Sequence, residues 1–239
     1  MTTLSTRDDA QATLALSGTG LFHIYRDDGH ETIALRGADI AVPRGSWVSV
    51  VGPSGSGKST LLNVLGGLVT PSAGTIMLGA EDIGRLDEDR RAQLRRSALG
   101  VMLQRDNLHP LLTVRENVAL PLELAGRPAG RVVDDLVARV GLAEQSRRRP
   151  HQLSGGQAQR AAVAVALAGN PQVLLADEPT GELDDETSQE ILDLLEDLRV
   201  SQGIAIVTVT HNPAVAARST IRLRMIDGQL SQEDDRGEH

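Results

Sequence analysis

Two kinds of apolar patterning alternate along the 239-residue chain. Runs dense in β-branched and aromatic residues, "LFHIY" (21–25) and "SWVSVV" (46–51), predict strands. Turn signals at Asp28-Gly29 and Pro43-Arg44-Gly45 between them fit an antiparallel β-layer. "KSTLLNVLGGL" (58–68) is helical, and "TPSAGTIMLG" (70–79) is a turn followed by a short strand. From about residue 86 to 168 the pattern is mostly helical. Thr113 and Glu116 stand at capping-box spacing. Val133, Leu136, Val137 and Val140 share one helical face. Ser154 is an N-cap candidate for a helix that ends near Asn170-Pro171.

"QVLLAD" (172–177) and "IAIVTVTH" (204–211) are continuous apolar runs, the kind buried on both faces of a parallel sheet. Between them residues 184–203 form an amphipathic helix ending at Gly203. "IRLRMI" (221–226), a turn at Asp227-Gly228 and a polar tail from 231 complete the chain. Buried strands alternating with helices predict an α/β fold with a mostly parallel core sheet, an N-terminal antiparallel β subdomain and an inserted helical subdomain at about 86–168. Without a linker or internal repeat, the chain is expected to form one domain with polar tails at about 1–15 and 231–239.

Composition narrows the chemistry. There is no cysteine, so disulfides and thiol catalysis are excluded, and the six histidines show no metal-ligand spacing. The net charge of −8 and the lack of a basic stripe argue against nucleic acid as a partner. No apolar run approaches the ~18 residues of a membrane span, so direct membrane insertion is not expected. The first residues do not read as a secretory signal, and a cytoplasmic location is expected. The three aromatics, Phe22, Tyr25 and Trp47, all lie in the first fifth of the chain. Lys58 is the one lysine among twenty-four basic residues.

Lys58 lies in "GPSGSGKST" (52–60), which fits G-x-x-x-x-G-K-[ST] and stands between a predicted strand and a predicted helix. Backbone N–H groups of Gly52, Pro53, Ser54, Gly55, Ser56 and Gly57, those that carry one, can form an anion nest. The helix that opens through Lys58, Ser59 and Thr60 adds free N–H groups and a positive dipole end. Ser59 offers a hydroxyl for Mg²⁺. The Lys58 ammonium is a compact point charge that fits between β- and γ-phosphates, whereas an arginine fork is broader.

A phosphate loop of this kind needs a carboxylate to help hold Mg²⁺. Asp177 ends an apolar strand at the sheet edge where ligands bind in α/β folds. Glu178 follows it and, by strand alternation, is expected to point elsewhere, toward an attacking water as general base.

"LSGGQAQR" (153–160) resembles the signature of the ATP-binding-cassette (ABC) family. Around it Gln104 falls at the Q-loop position, "GELD" (181–184) resembles the D-loop, His211 matches the switch histidine and Tyr25 the aromatic that stacks on adenine. The resemblance covers about Phe22 to Leu230. It implies an ATPase that uses ATP and Mg²⁺. Catalysis would rest on Glu178, His211, Lys58 and Gln104, with Ser59, Gln104 and Asp177 at the metal. Ser154, Gly155, Gly156, Gln157 and Asp184 would meet the nucleotide of a second copy in a head-to-tail homodimer. A separate membrane permease at the inner face of the membrane is the implied partner. Two departures are visible: Ala158 stands where Gln is common, and Val165 where Arg is usual, which would remove an ion pair. The skeleton after Gln104 resembles the branch of macrolide exporters and lipoprotein-releasing complexes, although "RDNLH" lacks the usual aromatic. A non-transport member and a slow regulatory ATPase remain alternatives, the first disfavoured by the single cassette and the absence of heptads.

Overall fold

The computed structural model describes residues 14–27, 30–104, 106–181 and 183–233. The expected turn at Asp28-Gly29, Arg105, Glu182 and most of both expected tails lie outside the described residues. Strands β1 (Leu14–Asp27), β2 (His30–Pro43), β4 (Ala73–Leu78) and β5 (Glu81–Asp82) form an antiparallel sheet in the order β2-β1-β4-β5. Strands β3 (Trp47–Val51), β6 (Leu99–Met102), β7 (Val173–Asp177), β8 (Ala205–Thr210), β9 (Ile221–Ile226) and β10 (Gln229–Gln232) form the second sheet, ordered β10-β9-β3-β8-β7-β6. All its pairings are parallel except the β9–β10 hairpin. Helices are α1 (Lys58–Leu65), α2 (Glu88–Ala98), α3 (Val114–Leu124), α4 (Gly130–Arg139), α5 (Gly155–Leu167), α6 (Asp185–Gln202) and α7 (Pro213–Arg218).

Every residue of β7 and β8 is buried, as expected for strands covered on both faces. Alternation assigns the faces. Val173 and Leu175 join Val48, Val50, α1 and the antiparallel sheet in one core. Leu174 and Ala176 join Trp47, Ile206 and helices α3 to α6 in the other. By the same alternation Asp177 falls on the α1 face. Across the sheet, Trp47 Nε1 donates to Thr208 Oγ1 at 3.1 Å and Ser49 Oγ lies 2.7 Å from the same hydroxyl, so these buried polar groups satisfy one another.

Three boundaries differ from expectation. The helical block contains β6, a strand of the core sheet. Four residues with a glycine carry little strand signal, yet Gly100 is required: a Cβ there would stand 2.5 Å from the Ala166 carbonyl oxygen on α5. Ser231 and Gln232, expected in the polar tail, pair with Arg224 and Leu223 in the β9–β10 hairpin. Leu14 and Ala15, expected in the N-terminal tail, belong to β1. Among the described residues, no helix is long and apolar enough to cross a membrane.

Candidate active site

The loop 52–57 runs from the half-buried end of β3 at Val51 into α1 and is wedged between backbones. A Cβ on Gly52 would lie 2.2 Å from the Met225 carbonyl oxygen, and one on Gly57 2.4 Å from that of Ala34. The β9–β10 turn straps the loop: Gly228 N donates to Ser56 O and Arg36 N to Gly228 O, both at 2.9 Å. Gly57, at φ 105°, precedes α1 without a side-chain cap, so the first N–H groups of α1 keep their donor capacity for a ligand. Lys58 Nζ donates to the Gly52 and Pro53 carbonyls at 2.8 and 2.9 Å.

Asp177 is 9% exposed. Burial pushes its carboxyl above the ordinary range. A hydrogen bond from Ser59 opposes this, the Glu178 charge adds to it and Lys58 opposes it. Glu178 departs from expectation. It has left the strand and adopts φ 47°, so backbone reversal, not strand alternation, aims its side chain. Both acids line the same cavity. Glu178 Oε2 accepts from Thr210 Oγ1 at 2.8 Å. Oε1 accepts from His211 N at 3.0 Å and lies 2.6 Å from His211 Nδ1. The Glu178 side chain is 10% exposed and that of His211 74%, so the pair spans from interior to surface.

One cavity of about 670 Å³ gathers Tyr25, Ser54, Gly55, Gly57, Lys58, Ser59, Thr60, Gln104, Asp177, Glu178 and His211. Tyr25 stands at its mouth, 42% exposed, with its hydroxyl 3.4 Å from Thr60 Oγ1 and the His23 ring packed edge-on at 4.7 Å. Gly52 and Pro53 contribute carbonyls behind Lys58, while Ser56 is buried and faces a neighbouring cavity.

Ser154, Gly156 and Gln157 line a different cavity of about 330 Å³ with Arg160, Thr187 and Glu190. Ser154 caps α5: its hydroxyl accepts from Gln157 N at 3.3 Å and its N–H donates to Gln157 Oε1 at 3.2 Å. Gly155 packs beside Leu183, where a Cβ would stand 3.3 Å from Cδ2. Asp184 lines neither cavity. It caps α6, accepting from Thr187 N at 2.9 Å and Thr187 Oγ1 at 2.7 Å, and these bonds hold its carboxyl below the ordinary range. Of the two departures, Val165 packs against the apolar core, and α5 is tied down instead by the Arg160–Glu190 ion pair at 2.6 Å.

Three features escaped the sequence reading. Thr210 is fully buried yet donates to Glu178. Gln159 reaches the Pro179 carbonyl. Thr32, Ile33 and Ala34 of β2 form a wall of the larger cavity. A polar residue at the end of an apolar strand is the one signal that could have marked Thr210.

Residues 35–181 match the family described as ABC transporter. The chain is 40% identical over 220 residues to the lipoprotein-releasing system ATP-binding protein LolD of Legionella pneumophila strain Paris, covering 91% of this chain and 97% of that protein. It is 46% identical over 202 residues to the macrolide export ATP-binding/permease protein MacB of Marinobacter nauticus, covering 83% of this chain but 31% of that longer protein. The dimeric post-hydrolysis structure of the ATP-binding cassette MJ0796 bound to ADP and Pi superposes with a TM-score of 0.86 at 35% identity, over 93% of this chain and all of that one. By its ordered motifs, its fold and these likenesses, the chain belongs to the ABC transporter family.

Proposed function

We propose that this ABC-type ATPase holds MgATP in the larger cavity, completes the site with a second copy of itself and drives a separate membrane permease from the inner face of the membrane. The observation that carries this reading is the convergence of Tyr25, Lys58, Gln104, Asp177, Glu178 and His211, drawn from distant parts of the chain, on one cavity. Tyr25 stacks on the base. The loop 52–57 and the N-terminus of α1, including Thr60, receive the phosphates, and Lys58 turns from its carbonyl partners to the β- and γ-phosphates. Ser59, Asp177 and Gln104 present a hydroxyl, a carboxylate and an amide, an all-oxygen set that fits Mg²⁺ together with water and phosphate oxygens. When bound, the ion supplies neutralisation of phosphate charge.

Glu178 accepts the proton of the attacking water. Thr210 and His211 hold its carboxylate in place, and the exposed His211 ring reaches the γ-phosphate. The second copy offers Ser154, Gly155, Gly156 and Gln157 at the N-terminus of α5, with Asp184 at the facing interface. The smaller cavity beside Ser154 is separate from the Lys58 cavity in the same chain, which supports a site completed between copies. The dimeric form of the solved cassette supports it too. The permease is proposed from the likeness to LolD and MacB, and with it lipoprotein release or export as the work performed.

The test is size-exclusion chromatography of Glu178→Gln with MgATP, alongside steady-state hydrolysis. The expected result is an ATP-dependent dimer with hydrolysis lost. A variant that stays monomeric at saturating ATP defeats the shared-site reading, and one that still hydrolyses at the wild-type rate defeats the role of Glu178.

A further inference from the structure

Glu178 is a non-glycine residue held at φ 47°, a conformation that persists only where its surroundings enforce it. Its restraints can be traced. Glu178 N donates to Val209 O at 2.9 Å, and Gly181 N donates to Glu178 O at 3.1 Å. The next residue, Pro179, has no N–H, so its carbonyl is the one backbone group through which it can be hydrogen-bonded. That carbonyl accepts from Gln159 Nε2 at 2.7 Å, across twenty residues of sequence. A carbonyl only accepts, so the amide must turn its NH₂ toward it.

Gln159 sits on α5, five residues after Ser154 and on the helix that carries the signature. The helix does not depend on this bond for its own placement. Arg160 pairs with Glu190 on α6 at 2.6 Å and reaches Val140 O at 3.4 Å, and the apolar face of α5 is buried in the core. The bond therefore acts mainly on the other partner, the turn that aims Glu178.

We propose that Gln159 is a positioning residue for Glu178, tying the base of the chain's own site to the helix that completes its partner's site. The inference rests on the reading of Glu178 as the base.

The test compares Gln159→Met, of similar length without a donor, with Gln159→Lys, which restores one. The full chain is assayed for ATP hydrolysis, and each change is also placed in the Glu178→Gln background to measure ATP-dependent dimerisation by size exclusion. Gln159→Met is expected to lower kcat by about 10- to 100-fold, the cost of a misplaced reacting group. KM and the ATP concentration for half-maximal dimerisation should stay within about twofold of wild type, since Gln159 lines neither the Lys58 cavity nor the Ser154 cavity. Gln159→Lys should recover most of the lost rate. Should the Met variant fail to fold, Gln159→Ser, too short to reach Pro179, replaces it. An unchanged kcat overturns the proposal. So does a loss of rate matched by an equal loss of dimerisation, which would make Gln159 an anchor of α5. If Glu178→Gln alone leaves hydrolysis intact, the reading of the base has failed. If it abolishes hydrolysis while Gln159→Met does not slow it, only the role of Gln159 has.

Discussion

Gly156, in the first turn of α5, is a glycine because of its neighbour. A Cβ there would stand 2.3 Å from Thr187 Cγ2, with Thr187 Cβ and Oγ1 at 3.7 and 3.8 Å. Thr187 cannot swing its methyl away freely, because Oγ1 donates to Asp184 Oδ2 at 2.7 Å and its N–H donates to Oδ1 at 2.9 Å. Gly156→Ala must push α5 from α6 or break the cap of α6. Overpacking costs about 1–3 kcal/mol. Replacing glycine by alanine in a helix returns up to about 1 kcal/mol. A net loss of about 1–2 kcal/mol follows. Thr187→Ser removes only Cγ2 and keeps the capping hydroxyl, leaving the nearest of these atoms at 3.7 Å, an ordinary contact. In that background Gly156→Ala should be neutral or slightly stabilising, so urea denaturation of the four proteins should give a coupling energy of about 1–3 kcal/mol. The same rescue should appear in the ATPase rate, since Gly156 lines the signature cavity. If Gly156→Ala costs the same with threonine or serine at 187, the steric account is refuted.

Other outcomes follow from the site. Thr210→Val removes the buried donor to Glu178 Oε2; with a bond to a charged group worth about 1.5–3 kcal/mol, kcat should fall at least about tenfold at unchanged KM, and wild-type kcat would refute the contact's importance. Asp177 has a carboxyl raised by burial, so the folded chain holds its proton more tightly than the unfolded chain does. Its favourable contribution is complete below the unfolded value and is lost as pH rises through the folded one. Asp177→Asn should therefore raise the nucleotide-free Tm near neutral pH, the gain vanishing in acid, while hydrolysis is lost; a lower Tm at neutral pH would contradict this sign. Lys58→Arg should weaken ATP binding at least about 100-fold in equilibrium titration, because a broad planar guanidinium is a poor substitute for the compact ammonium that Lys58 Nζ sets against the Gly52 and Pro53 carbonyls. Wild-type affinity would defeat the steric argument.

Most of the fold was legible because its signals are local. The loop 52–60 announces itself by glycines between a strand and a helix, and β7 and β8 by unbroken apolar runs. Gly203, at φ 68°, ends α6 where the pattern places it. The segment β6 was hidden because its identity as a strand comes from β7, which pairs with it residue for residue from Leu99 to Met102. Ser231 and Gln232 were hidden for the same reason: a polar edge strand has no apolar period, and only the partner β9 reveals it.

The two acids at 177 and 178 mark where sequence periodicity stops being informative. Asp177 is the last residue of β7, so alternation still governs it and delivers its carboxylate to Ser59 on α1. One residue later the strand has ended, and the direction of Glu178 is set by a left-handed backbone and by donors 32 and 33 positions away, Thr210 and His211. No local rule links those positions. Asp184 makes the converse point: the resemblance assigns it to a nucleotide, while the bonds it makes within its own chain are those of a helix cap. The two roles are compatible only if the facing copy approaches a carboxylate already occupied by Thr187. The residues that position a site at the ends of strands and helices therefore act through bonds that a motif does not reveal. Thr210, bonded to the Glu178 carboxylate, and Gln159, bonded to the Pro179 carbonyl, are where substitution should separate catalysis from nucleotide binding.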